Sequence, residues 1–78
     1  MQIETAGNYQ IHMIAHEDHA AGWGAYITVM QFDEALGDFR CVLERHKVTD
    51  HAFVSYEQAI EAARHAGNAF MAGKLRLR

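Results

Sequence analysis

Residues 54–73, VSYEQAIEAARHAGNAFMAG, decide the fold, because their apolar side chains recur with the period of a helix. Tyr56, Ala59, Ile60, Ala63, Ala66, Phe70 and Met71 form one stripe, while Glu57, Gln58, Glu61, Arg64, His65 and Asn68 take the other side. Ser55 is placed to cap the first turn, and Gln58 three residues on completes an S-x-x-Q capping box. Gly73 follows the last periodic residue and suits a left-handed helix terminus. Gly67 falls on the apolar stripe. An interior glycine costs about 1 kcal/mol against alanine, so close approach to another layer is the reason to expect it there. The stripe is small in the middle and aromatic at its ends, which suits a helix lying flat on a sheet.

The sheet is read from the residues before it. Residues 9–16 alternate, with Tyr9, Ile11, Met13 and Ala15 on one face and Gln10, His12, Ile14 and His16 on the other. Residues 17–22, EDHAAG, form a hairpin connection. Residues 23–32, WGAYITVMQF, are the strongest strand, with Trp23, Ala25, Ile27 and Val29 in one row and Tyr26, Thr28, Met30 and Phe32 in the other. Both rows are apolar, so this strand is expected to be central. After a turn at 33–38, residues 39–47 alternate again. Phe39, Cys41 and Leu43 are expected inward, Arg40, Glu44 and His46 outward, and Val42 breaks the polar row. Phe53 and Val54 are expected to anchor the helix start in the core. The expected fold is α+β: a three-stranded antiparallel meander with one C-terminal helix on one face (β-β-β-α). Residues 1–8 are a polar lead with one apolar residue, Ile3, read as a frayed end or an edge segment, and the basic tail 74–78 alternates as a short C-terminal strand would but, being terminal, reads equally as a flexible tail.

The chain of 78 residues is expected to be a single domain, 1–78, near the lower limit for a self-sufficient core. One cysteine leaves no intrachain disulfide and no C-x-x-C zinc pair. With no basic-then-apolar leader and no long apolar run, the expected setting is cytoplasmic, without a membrane. A hydrophobic content of 50% excludes general disorder. The net charge of −3 is unevenly spread: residues 1–38 hold six acids and no Lys or Arg, whereas the remainder holds seven bases and four acids.

One helix cannot cover both faces of the sheet. The face left open is expected to show His12, Ile14, Tyr26, Met30, Phe32 and Val42, an apolar set large for a monomer's surface if contiguous. Covering by a second copy, as a homodimer, is the preferred reading, a slot for a partner protein or ligand comes next, and the N-terminal segment or C-terminal tail folding over the face is the third. The chemical alternatives are thinner. His16 and His19 bracket Glu17 and Asp18 and are candidates for metal ligation, but not at the spacing of the helical H-E-x-x-H site. Arg40, Arg45 and Lys47, with Tyr26 as a stacking ring, are the nucleic-acid candidates; the absence of Lys and Arg from the first two strands removes most of the electrostatic attraction. There is no phosphate-binding glycine loop, no G-x-S-x-G and no paired catalytic carboxylates. The expectation is a non-catalytic interaction module that needs no cofactor. With six histidines, the formal charge moves from −3 to +3 on full protonation, so association is expected to respond to mild acid.

From Phe53 onward, F-V-S-Y-E-Q-A-I-E-A-A-R-H-A-G resembles the end of small uncharacterised bacterial proteins in which three strands precede a helix opening F-x-[ST]-x-E-x-A. More faintly, the chain resembles the sheet-plus-helix modules of phage-type integrases and antitoxins. The first resemblance implies the β-β-β-α order and no assigned activity, hence no catalytic residues to carry over.

Overall fold

The structure, a computed structural model, describes residues 1–18 and 21–73. Four antiparallel strands in the order β1-β2-β3-β4 form one sheet: β1 (Gln2–Ala6), β2 (Tyr9–Asp18), β3 (Gly22–Asp33) and β4 (Asp38–Lys47). A single helix, α1 (Tyr56–Met71), lies across β2 and β3 on one face. The class is α+β, and the meander holds one strand more than the sequence pattern indicates.

The added strand lies within the polar lead, at the N-terminal edge. Ala6 pairs with Tyr9 across a two-residue turn, Gly7–Asn8, with Gly7 at φ 60°. A tight hairpin wants a positive φ at its first central residue, which glycine adopts without strain. β1 conceals itself because its helix-side position opposite Ile11 is Glu4, not an apolar residue. The Glu4 carboxylate accepts a 2.7 Å hydrogen bond from Nε of Arg64, which also pairs with Glu61 one turn earlier. The hydrogen bond to Glu4 is the main cause that raises the Arg64 guanidinium above its ordinary pKa. The tail at 74–78, read as either a short strand or a flexible end, lies outside the described residues.

The core is the interface between helix and sheet. Ile11 pairs with Val29, Met13 with Ile27 and Ala15 with Ala25, so the inward rows of β2 and β3 match position for position. Ile11, Met13, Ile27 and Val29 are fully buried against Ala59, Ile60, Ala63 and Ala66. Each large side chain so buried contributes about 1.5–3 kcal/mol. The alanines let the helix approach closely, and Gly67 lets it approach further. A Cβ built at Gly67 would stand 2.6 Å from Cγ2 of Ile11.

The helix starts where the sequence indicates. Ser55 Oγ accepts from the Gln58 backbone N–H at 3.2 Å, and the Gln58 side chain reaches back to accept from the Val54 N–H. The aromatic end is fixed by Trp23, whose ring meets Tyr56 edge-on at 5.6 Å and whose backbone exchanges two hydrogen bonds with Phe53. Phe53 packs on the core as expected. Val54 does not: it is 88% exposed, because the N-cap turn that begins beside it points its side chain to solvent.

β4 departs from simple alternation. Met30 pairs with Cys41, Val29 with Leu43 and Ile27 with His46, so β4 gains one residue at each of two bulges. A bulge puts two residues opposite one and resets the facing of everything beyond it. Val42 and Leu43 therefore both pack on the core. Cys41, expected inward, is exposed, and shares the open face with Phe39, which pairs with Phe32. His46, expected outward, is half-buried opposite Ile27.

Candidate interaction face

The face of the sheet away from the helix carries the even-numbered residues of β2 and β3. Pairing brings Ile3 beside His12, His12 beside Thr28, Ile14 beside Tyr26, Gln10 beside Met30, and Phe32 beside Phe39. Of the residues expected on this face, His12, Ile14, Tyr26, Met30 and Phe32 are there. Val42 is not, for the reason given by its bulge. Ile3, Phe39 and Cys41 join the set. Ile3 was hidden in the polar lead, although the Gly7–Asn8 dipeptide is a hairpin signal that would have exposed its pairing.

The face is zoned. One apolar lobe is Met30, Phe32, Phe39 and Cys41, where the two phenyl rings meet edge-on at 5.4 Å. A second is Ile3, Ile14 and Tyr26. Between them runs a polar band of Thr5, Gln10, His12 and Thr28, within which His12 Nε2 lies 3.2 Å from Gln10 Oε1. Ile3 is 52% and Phe32 38% exposed, whereas the central side chains are half-buried by their neighbours.

Tyr26 is held in place from both sides. Its ring leans over Gly24, where a Cβ would come within 3.2 Å of it, and the Arg45 guanidinium stacks 4.5 Å from its centroid. The stacking surface a nucleobase would use is thus occupied by the chain's own cation. Arg40, paired with Gln31, lies on the helix side of the sheet and contacts Asp33 at 3.5 Å, whereas Lys47 pairs with Tyr26 on the open side. The fold therefore keeps Arg45 and Lys47 together beside Tyr26 on the open side and sets Arg40 apart on the helix side.

At the far end of the open face a cleft of about 470 Å³ lies between the β2–β3 hairpin and the segment leading to the helix. His16, Tyr26, Lys47, Asp50 and His51 line it, so both signs of charge meet there. The Thr49 hydroxyl lies 2.8 Å from Nδ1 of His51, which ties that imidazole to its own loop. Among the described residues no group of three or more His, Cys, Asp or Glu is arranged to hold a metal ion. His16 is exposed at the end of β2, and His19, its partner in the metal reading, lies outside the described residues. Among the described residues, no helix is long and apolar enough to cross a membrane.

The chain matches no protein-family model, no curated protein and no solved structure.

Proposed function

We propose that this chain is a non-catalytic cytoplasmic interaction module that self-associates through the open face of its sheet. The observation that carries the reading is the one-sidedness of the fold: a single helix covers β2 and β3 on one side, and the two apolar lobes on the other have no covering layer among the described residues. Four strands at about 4.8 Å spacing and ten residues at about 3.3 Å rise give a flat footprint of about 600 Å². Side-chain relief raises the accessible area towards the ~800 Å² per partner of a standard interface. The occupant that fits is a second copy. A self-complementary sheet packs on itself across a two-fold axis, and such isologous contacts are the commonest form of association. The polar band supports this, since Gln10, His12 and Thr28 can satisfy one another across the axis. The result is a four-layer α-β-β-α arrangement with both helices outside.

The test is light scattering over a concentration series at pH 7.5. The expected result is a dimer at micromolar concentration, with Met30→Glu monomeric while its circular dichroism stays that of the folded chain. Monomeric wild-type protein at 100 μM, or an unchanged mass for folded Met30→Glu, would refute the reading.

A further inference from the structure

The cleft of about 470 Å³ beside the β2–β3 hairpin is shaped by two features that the core does not require. Its floor is Gly24, which pairs with His16 and faces the open side. The backbone at Gly24 lies outside the left-handed region, so chain conformation does not call for glycine there. An added Cβ would stand 3.2 Å from the Tyr26 ring and project into the cleft. The wall is residues 49–52. Val48 donates to the Ala25 carbonyl at 2.9 Å and Phe53 exchanges two hydrogen bonds with Trp23, so β3 holds both ends of a four-residue excursion. That excursion carries Asp50 and His51 to the cleft, and its Thr49 hydroxyl accepts from the His51 N–H at 3.0 Å. The cleft is therefore preformed, and its volume lies within the range of about 300–1,000 Å³ that small-molecule sites occupy.

The charges around it specify a guest. Lys47 lines the cleft beside Tyr26, Asp50 lines it from the loop and Glu17 from the hairpin end. Among the described residues none of these three is in an ion pair, so the opposite charges are not spent on one another. Arg45 is held on the Tyr26 ring. We propose that the cleft binds a free cationic amino acid, of the arginine or lysine kind. The ligand's α-carboxylate meets Lys47, its α-ammonium meets Asp50 and its side-chain cation meets Glu17, while its methylenes lie along Tyr26. Among the described lining residues carboxylates outnumber amines, which disfavours phosphates and dicarboxylates, whereas the Lys47 ammonium disfavours an amine without a carboxylate. Charge-assisted hydrogen bonds are the strong ones, but here they are open to solvent and screened. A dissociation constant on the order of 1 mM is expected. Neither the floor nor the wall needs a second copy of the chain.

The experiment is an amide NMR titration at pH 7.5 and matched ionic strength with L-arginine, agmatine, which lacks the carboxylate, and L-glutamate. L-Arginine is expected to shift the Gly24 and His51 amides saturably, and agmatine and L-glutamate to bind at least about 5-fold more weakly. Lys47→Gln and Asp50→Asn, both at exposed positions and checked by circular dichroism, are each expected to weaken L-arginine about 5-fold. Lys47→Gln is expected to leave agmatine binding no weaker than in wild type, which a general loss of structure would not do. No saturable shift at about 20 mM L-arginine, L-glutamate binding as tightly as L-arginine, or an affinity unchanged in both variants overturns the inference. Diffusion measured on the same samples reads the mass independently. A monomer that binds L-arginine overturns the self-association reading alone, and a dimer that does not bind it overturns this inference alone.

Discussion

Gly67→Ala tests how the helix meets the sheet, because two opposing terms of known size act at one atom. In an exposed helix interior the added methyl stabilises by about 1 kcal/mol. Here it would arrive 2.6 Å from Cγ2 and 3.2 Å from Cδ1 of Ile11. Ile11 is 1% exposed and paired with Val29 in the middle of the core. Its β-branched χ1 is stiff, so Cγ2 cannot swing aside as the end of a longer chain would. Overpacking of this kind costs about 1–3 kcal/mol. The net expectation is a loss of about 0–2 kcal/mol, or up to roughly 15 °C in melting temperature for a domain of this size. The sharper reading comes from a double-mutant cycle with Ile11→Ala, which removes the clashing methyl at a cost of about 2–5 kcal/mol. In that background Gly67→Ala is expected to stabilise by about 1 kcal/mol or more, filling part of the cavity while recovering helix propensity. Urea denaturation of the four proteins measures the coupling. A Gly67→Ala protein more stable than wild type by a full 1 kcal/mol, with no coupling to Ile11, would refute the close approach.

Other residues give smaller tests. Ser55→Ala removes the acceptor for the Gln58 N–H and is expected to cost about 1 kcal/mol in urea denaturation, with Ser55→Asp retaining most of it. Val42→Ala is expected to cost about 1 kcal/mol while Cys41→Ser stays within about 0.5 kcal/mol; the reverse order would mean that the bulge beside Cys41 is misplaced. Arg64→Met is expected to lower the melting temperature by loosening β1, and the difference from wild type should shrink in 1 M NaCl, since the Glu4 and Glu61 contacts are partly solvent-screened.

The helix was legible in the sequence because several independent signals agree there. Ser55, Gln58, the small stripe and Gly73 all specify one element, and even the costly Gly67 is accounted for by Ile11. β2 and β3 were legible because period-two alternation persists unbroken along them and their rows match in register. β4 was not. Alternation carries the facing of a strand only as far as its first bulge; Val42 breaks the polar row, but an apolar residue there does not by itself specify a bulge, which is set by how β4 must bend to keep Leu43 and Val42 on the core. The misplacement of Cys41 and Val42 follows from the first bulge, and that of His46 from the second. β1 failed for a different reason. Its inward position is satisfied by an ion pair 60 residues away, and hydrophobic patterning has no means of registering Glu4 with Arg64.

The same distinction governs the candidate face. Most of its members were visible because they lie on β2 and β3, where alternation holds, but their arrangement was not. Alternation assigns a side chain to a face, and only register says which side chains are neighbours on it. Register turns what reads as one apolar surface into two lobes with Gln10, His12 and Thr28 between them. That difference matters physically. A continuous apolar face offers area alone, whereas this one sets hydrogen-bonding groups between two apolar lobes. The cross-strand neighbours of His12 within that band, Ile3 and Thr28, come from the least patterned strand and the most evident one. Which side chains border the polar band therefore depends on where β1 lies, not on the composition of the face.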